Sequence, residues 1–178
     1  MSTPLHYLSI DTFISRLHTL AHLLTRGAEK HDPAVLVGLR LAPDMHPLSR
    51  QVQFVCYQAL DAAARLGGRT PPDAETSEEN LEQLQARITA TIAALRDIPA
   101  DALAGGEDRT VRRQIGEQFT IEMSGLRYLR DFTLPNFYFH LVTTYAILRA
   151  NGVDLGKRDY MGHLLDALRP ASPAGGAA

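Results

Sequence analysis

The stretch LPNFYFHLVTTYAILRANG, residues 134–152, decides the fold of this chain. Phe137, Leu141, Tyr145 and Leu148 recur at helical spacing on one side, and further apolar residues occupy most of the remaining circumference. An Asn-Gly pair then ends the helix. A helix that is apolar almost all round is either central in a bundle or shared with a partner subunit. The pattern therefore predicts a long helix that other elements surround.

Three more amphipathic helices precede that stretch. Apolar residues recur at helical spacing over residues 5–30, 47–66 and 81–97. Ser77 is placed to cap the third of these helices, because acidic residues follow it in the first turn. A short terminal helix is predicted over residues 157–168.

Between the third and the last long helix the pattern changes from helical to β-prone. Val111 and Ile115, then Phe119 and Ile121, lie in two short runs separated by Gly116-Glu117, which is typical of a hairpin. We therefore predict an all-α domain, an antiparallel four-helix bundle with one short β-hairpin inserted before the last long helix.

Length and composition indicate one globular domain. The chain has 178 residues, which is enough for one well-buried core and short for two domains. We place the domain at residues 1–169 and expect the Ala-, Gly- and Pro-rich tail, residues 170–178, to be disordered. The formal net charge is −2, and Lys and Arg are scattered along the chain, so a nucleic-acid partner is not expected.

The N-terminus and the cysteine content bear on location. No basic segment leads into an apolar run at the N-terminus, and no apolar run approaches membrane-spanning length. Cys56 is the single cysteine, so no intramolecular disulfide can form. We therefore expect a cytoplasmic protein with no membrane partner.

Two stretches carry a family resemblance. One is LAPDMHPLSRQVQ, residues 41–53, and the other is the 134–152 stretch, continued by GKRD at 156–159. They resemble an uncharacterised family, the domain of unknown function numbered nineteen ninety-three, within the DinB/YfiT-like superfamily of proposed metalloenzymes. The resemblance extends over nearly the whole chain, and it implies an up-down-down-up four-helix bundle.

The resemblance also implies a metal site. In the wider superfamily the bundle often holds a divalent metal through three histidines, one from the second helix and two from a His-x-x-x-His pair on a later helix. His140 matches the first histidine of that pair, but Thr144 occupies the second position, and His46 lies at the cap of the second helix and not inside it. The resemblance therefore implies a degraded site for Zn, Ni or Mn, with His140 as its remaining candidate ligand.

A polar line on the last helix marks a candidate pocket. Asn136, His140 and Thr144 are spaced four apart, so they share one face. Facing helices of a bundle build pockets from such lines, and Asp44 and Gln53 near the start of the second helix would add contacts at the pocket mouth. The alternatives are that His140 is a structural histidine and that Asp44 and Gln53 serve as cap and ion-pair residues.

Other chemically distinctive side chains have simpler interpretations. His18 and His22 share a polar stripe of the first helix that is turned away from the core, so we expect it to be solvated. Cys56 lies on a core stripe and is interpreted as a small buried hydrophobe. Four apolar residues outside the core stripes favour either a homodimer interface or packing beneath the loops and the hairpin: Phe54, Tyr57, Phe139 and Ile147.

Three functions follow from these patterns. The first is a small-molecule-binding bundle that has lost its complete metal triad. The second is a divalent-metal-dependent hydrolase or thiol-dependent transferase, which rests on family analogy alone. The third is a structural module whose apolar surface pairs two copies of the chain as a homodimer.

Overall fold

The structure is a computed structural model that describes residues 4–73 and 76–169. The predicted tail, residues 170–178, lies outside the described residues, and the single-domain assignment over residues 1–169 stays a prediction. Within the part of the chain that is described, no helix is both long enough and apolar enough to cross a membrane.

Four long helices form the bundle, as the sequence predicts. They are α1 (Thr12–Lys30), α2 (Leu48–Leu66), α3 (Leu81–Arg96) and α4 (Leu134–Ala150). Helix α2 packs against α3 and α4, and helix α1 packs against the same two neighbours. The rings of Phe13 and Phe137, 5.0 Å apart, join α1 to α4 in the core. The arrangement is the expected up-down-down-up bundle.

A short helix over Pro4–His6 and a π-helical turn over Tyr7–Asp11 extend α1 back to its predicted start, but two other helix starts differ from the prediction. Asn80, and not Ser77, caps α3, because Asn80 is the last residue with extended backbone and its Oδ1 accepts a 2.9 Å bond from the Gln83 amide. The helical backbone of the last long helix begins before residue 134. A short helix over Gly125–Arg127 and a π-helical turn over Tyr128–Thr133 lead directly into α4. A π-helical turn widens the helix and is common at functional sites.

The predicted hairpin is confirmed. Strand β1 (Thr110–Ile115) pairs antiparallel with β2 (Phe119–Ser124), and Ile115 lies opposite Phe119 at the turn. Gly116 has a φ of +59° in that turn, a conformation that favours glycine. The hairpin therefore reverses where Gly116-Glu117 predicts.

The base of the hairpin is held against the C-terminal end of α2. Gly106, before β1, and Gly125, after β2, approach so closely that a Cβ on Gly125 would overlap the Gly106 carbonyl oxygen. A Cβ on Gly106 would in turn lie 2.7 Å from the Leu66 carbonyl oxygen. That carbonyl also accepts a 3.1 Å bond from Nε of Arg109. The backbone contact fixes where the hairpin leaves the bundle.

We expect Gly125→Ala to destabilise the protein by about 1–3 kcal/mol, because the added methyl group overlaps backbone that has no room to move. Chemical denaturation measures the change in the free energy of unfolding. Gly162→Ala is the matched control, since a Cβ there meets nothing within 4 Å, and it should change stability by less than about 0.5 kcal/mol. Equal stability of the two variants would contradict the close approach at the hairpin base.

Candidate functional site

A cavity of about 210 Å³ lies between α2, the segment before α3 and the hairpin. Its α2 wall follows the spacing i, i+3, i+4, i+7 and i+8, which is one face of a helix. We call it the hairpin cavity. It is lined by Arg50, Gln53, Phe54, Tyr57 and Gln58 of α2, by Thr76, and by Arg113 of β1.

A buried carboxylate positions Arg113. The side chain of Asp61 is fully buried, and its Oδ2 accepts bonds from Nη1 of Arg113 at 2.7 Å and from the hydroxyl of Tyr128 at 2.5 Å. Its Oδ1 accepts from Nε of Arg65 at 2.9 Å. One negative charge is therefore shared by two guanidinium groups from two elements.

The charges of this network act on its members. Burial lowers the pKa of Arg113, but the attraction of Asp61, together with the hydrogen bond and charge of Tyr128, outweighs burial and raises that pKa above its ordinary value. Burial, followed by the bond to Asp61, raises the pKa of Tyr128 far above its usual range. Arg113 is thus a permanent cation, and Tyr128 stays a neutral hydroxyl.

Guanidinium groups cover two aromatic rings of the cavity wall. The guanidinium carbon of Arg50 lies 4.4 Å from the ring centre of Phe54, and that of Arg113 lies 5.5 Å from the ring centre of Tyr57. Arg50 Nη1 also donates to the Thr76 hydroxyl at 2.7 Å. Both cations are therefore held in one place beside apolar surface.

The two glutamines of the cavity wall differ in their hydrogen bonding. Gln53 accepts from Arg50 at 3.2 Å and donates to the Glu78 carboxylate at 3.1 Å. Gln58 is only 5% exposed, and its Oε1 is buried with no partner among the described residues. A buried acceptor without a donor costs about 1–3 kcal/mol. Gln58 is therefore a residue of the cavity wall that keeps an unsatisfied acceptor in the described structure.

His140 lies next to this wall, because its ring stacks on Phe54 at 4.5 Å. Its Nδ1 is 2.7 Å from Oε1 of Gln51, whose Nε2 donates to the His46 carbonyl at 3.1 Å. The amide of Gln51 is thereby oriented with its oxygen toward the imidazole. Nδ1 of His140 must donate, and Nε2 carries the lone pair.

The surroundings of His140 keep it neutral. Burial, followed by repulsion from His46 and Arg50, lowers the pKa of His140 to about 4. Near neutral pH the ring is therefore an uncharged imidazole that donates from one nitrogen and accepts at the other.

The predicted pocket residues of α4, Asn136 and Thr144, do not line the hairpin cavity. The hydroxyl of the fully buried Thr144 donates to the His140 carbonyl at 3.0 Å, and the amide of Asn136 donates to the Phe132 carbonyl at 2.6 Å. Both side chains thus bond to the preceding turn of their own helix. Asp44 is exposed, and Gln53 is the predicted site residue that lines the cavity.

Several residues of the cavity were missed by the sequence analysis. Gln58 and Asp61 fall on the face of α2 opposite its core stripe, where polar residues are usually solvated. Arg113 occupies a strand that shows only a hairpin pattern. The available signal was Phe54 and Tyr57 beside Arg50, an aromatic and cationic face that indicates a covering element.

The remaining predicted residues behave as follows. Cys56 is fully buried, and burial raises the pKa of its thiol to about 12, which confirms a small buried hydrophobe. His18 and His22 are exposed, as expected, and His22 pairs with Asp159 at 3.1 Å. They also line a second cavity of about 580 Å³ beneath the C-terminal turns, which include Gly162.

The metal that the resemblance implies does not fit the donor set around His140. The oxygen of Gln51 is engaged by the imidazole, and the hydroxyl of Thr144 is engaged by backbone. Residues 4–73 and 76–169 contain no group of three or more His, Cys, Asp or Glu side chains that could hold a metal ion. A structural or catalytic zinc site needs three or four such ligands.

The apolar residues outside the core stripes are mostly covered within the chain. Ile147 is fully buried, and Phe54 and Tyr57 pack beside the hairpin cavity. Phe139 is 58% exposed, and Val142, one turn further along α4, is 47% exposed. The homodimer stays a prediction, and its predicted interface is now the exposed apolar surface of α4 at Phe139 and Val142.

Comparisons with known proteins support the fold described above. A crystal structure of a DinB family member protein from Shewanella denitrificans superposes with a TM-score of 0.80 and is 32% identical, covering 95% of this chain and 96% of that chain. None of the curated proteins compared matches the sequence. The fold and its neighbour define the chain as a DinB-like four-helix bundle protein. The sequence matches the domain of unknown function DUF1993 over residues 5–161, and the chain belongs to that family.

We expect His140 to make the protein less stable in mild acid. The folded pKa of about 4 lies below the ordinary value of 6.5, so the unfolded chain binds more protons between these two values. Stability that is present above pH 6.5 is therefore lost as the pH falls toward 4. His140→Gln should reduce that loss by about 1 kcal/mol, a value discounted for the partial exposure of the ring.

Urea denaturation of the wild type and His140→Gln at matched pH values measures this difference. His18→Gln is the control, because His18 is exposed on α1. Parallel pH profiles for the wild type and His140→Gln would show that His140 is not held neutral by the fold.

Proposed function

We propose that this DinB-like protein binds a small organic molecule in the hairpin cavity. The observation that carries the proposal is Gln58, a residue of the cavity wall whose Oε1 is buried and has no partner among the described residues. Folding leaves such an acceptor desolvated at a free-energy cost, and a ligand that donates to it would recover that cost.

The composition of the wall supports binding. Ligand sites combine apolar surface with a few fixed polar groups, and here Phe54 and Tyr57 supply the surface while the guanidinium groups and Gln58 supply the polar groups. The volume of about 210 Å³ lies below the roughly 300–1,000 Å³ of drug-sized sites. The ligand is therefore smaller than a nucleotide.

The same wall favours binding over acid–base catalysis. A general acid or base needs a pKa near the working pH. The described lining residues are arginine, glutamine, phenylalanine, tyrosine and threonine, and the pKa values of both Tyr57 and Arg113 are raised. The neutral ring of His140 stacks on the ring of Phe54 and holds that ring in place.

Gln58→Met should leave the free protein as stable as the wild type, or more stable by about 1 kcal/mol. The substitution keeps the length of the side chain and removes an acceptor that has no donor. Gln53→Met is the matched control on the same helix face. It should cost about 1–2 kcal/mol, because the Gln53 amide bonds to both Arg50 and Glu78.

Chemical denaturation of both variants measures these effects, and a screen tests binding itself. The screen follows the side-chain amide NMR signal of Gln58 while small neutral and charged compounds are added to the wild type. We expect some compounds to shift that signal and to bind Gln58→Met more weakly, as measured in the variant by the side-chain amide signal of Gln53, which lines the same cavity. Clear destabilisation by Gln58→Met, or a screen in which no compound shifts the signal, would contradict the proposal.

A metal-content measurement separates this proposal from the hydrolase or thiol-transferase alternative. We expect untagged protein, purified without chelator, to contain far less than one equivalent of Zn, Ni or Mn, because His140 lacks partner ligands in the described structure. Elemental mass spectrometry of the wild type and His140→Ala gives the answer. Near-stoichiometric metal that falls in His140→Ala would favour the metalloenzyme instead.

A further inference from the structure

The charges around the hairpin cavity do not balance. Asp61 is the carboxylate that pairs with both Arg65 and Arg113, so this network carries one net positive charge. Glu78 pairs with Arg87 at 2.5 Å.

Arg50 adds a second positive charge. Within residues 4–73 and 76–169 it forms no ion pair with a carboxylate, and its hydrogen bonds go to neutral oxygens of Gln53 and Thr76. Among the described residues that line the cavity, Arg50 is therefore a cation that no described carboxylate neutralises.

The guanidinium of Arg50 is also held in a fixed position. Its Nη1 makes both hydrogen bonds, and its guanidinium carbon lies over the Phe54 ring. The Nε and Nη2 groups have no hydrogen-bond partner among the described residues. Two adjacent free N–H groups on a fixed planar fork match the two oxygens of a carboxylate, and little side-chain entropy remains to be lost.

Gln58 defines the opposite end of the ligand. Residues 50 and 58 are eight apart on α2, which places their Cα atoms about 12 Å apart along the helix axis. The long arginine side chain and the glutamine side chain span part of that distance. The remaining gap, bordered by Phe54 and Tyr57, suits a short apolar body with a polar group at each end.

Resting on the proposed function, we infer that the hairpin cavity selects a small organic monoanion. Its carboxylate binds the guanidinium of Arg50, and an N–H or O–H group at its other end donates to Oε1 of Gln58. Arg113, held by Asp61, adds positive potential from the hairpin side of the cavity.

Three probes of similar size test this inference. Para-hydroxybenzoate has both the anion and the donor, benzoate has only the anion, and para-hydroxybenzamide has the donor without the charge. Binding is measured by NMR titration at low salt, through the Gln58 side-chain amide signal and, in Gln58→Met, through the side-chain amide signal of Gln53, which lines the same cavity. We expect para-hydroxybenzoate to bind the wild type at least about ten-fold more tightly than para-hydroxybenzamide and about five-fold more tightly than benzoate.

Variants assign each preference to its residue. Arg50→Gln should abolish the preference for the anion, and Arg50→Lys, which keeps the charge but not the fork, should retain part of it. Gln58→Met should abolish the advantage of the hydroxyl group over benzoate. Arg149→Gln, which removes an exposed cation at the end of α4, should leave both preferences unchanged. Denaturation curves confirm that each variant is folded.

Three outcomes overturn the inference. If para-hydroxybenzamide binds as tightly as para-hydroxybenzoate, or if only neutral compounds from the wider screen shift the Gln58 signal, the charge selection is wrong and the proposed binding function stands. If nothing in either experiment shifts that signal, the binding function and the charge selection both fall. A preference for the anion that survives Arg50→Gln would also overturn the assignment to Arg50.

Discussion

The fully buried carboxylate of Asp61 is the interaction on which the site depends. It lies on α2 and binds Arg113 of the hairpin, Tyr128 of the π-helical turn before α4, and Arg65 one turn further along α2. A buried charge that loses one partner typically costs a protein about 3–5 kcal/mol, because the remaining charge is then uncompensated. The hairpin, the π-helical turn and α2 are therefore held in register by one negative charge.

The position of the hairpin makes the cavity. Two-stranded hairpins are marginally stable alone, so this one takes its position from contacts with the bundle. The backbone contact between Gly106 and Gly125 fixes its base, and the Arg113–Asp61 pair fixes its middle. Without them the face of α2 that carries Gln58 would be open to water. The covering of that face turns an ordinary polar helix surface into a cavity wall.

The fold was predictable from the sequence, because it rests on patterns that a single chain displays. The apolar spacing of the four helices and the Gly116 turn of the hairpin are local signals, and the structure confirms both. The cap of α3 was assigned to Ser77, three residues early, because either Ser or Asn can cap a helix and the choice depends on where the backbone turns. The helical lead-in before α4 was missed, since a π-helical turn breaks the regular spacing.

The site was only partly predictable, because it depends on which element covers which face. Gln53 was identified as a candidate, and it lines the cavity. The hairpin brings Arg113 next to Asp61 and Gln58 of α2, about fifty residues earlier in the sequence. A contact between residues so far apart leaves no local spacing pattern from which it could be predicted. The line of polar residues on α4 was visible in the sequence, but it did not mark a pocket. Threonine and asparagine side chains can bond to the backbone of their own helix, as Thr144 and Asn136 do here.

The hydrogen bonding of polar groups therefore separates structural from binding residues better than their position in a helical pattern. Asn136, Thr144 and His140 all have partners, the first two in their own backbone and the third in Gln51. Their polar groups already have hydrogen-bond partners within the bundle, so they need no ligand. Gln58 keeps an unpartnered acceptor, and Arg50 keeps a charge that no described carboxylate balances. Because desolvated polar groups without partners cost free energy in the empty protein, the hairpin cavity is where a bound molecule would stabilise this bundle most.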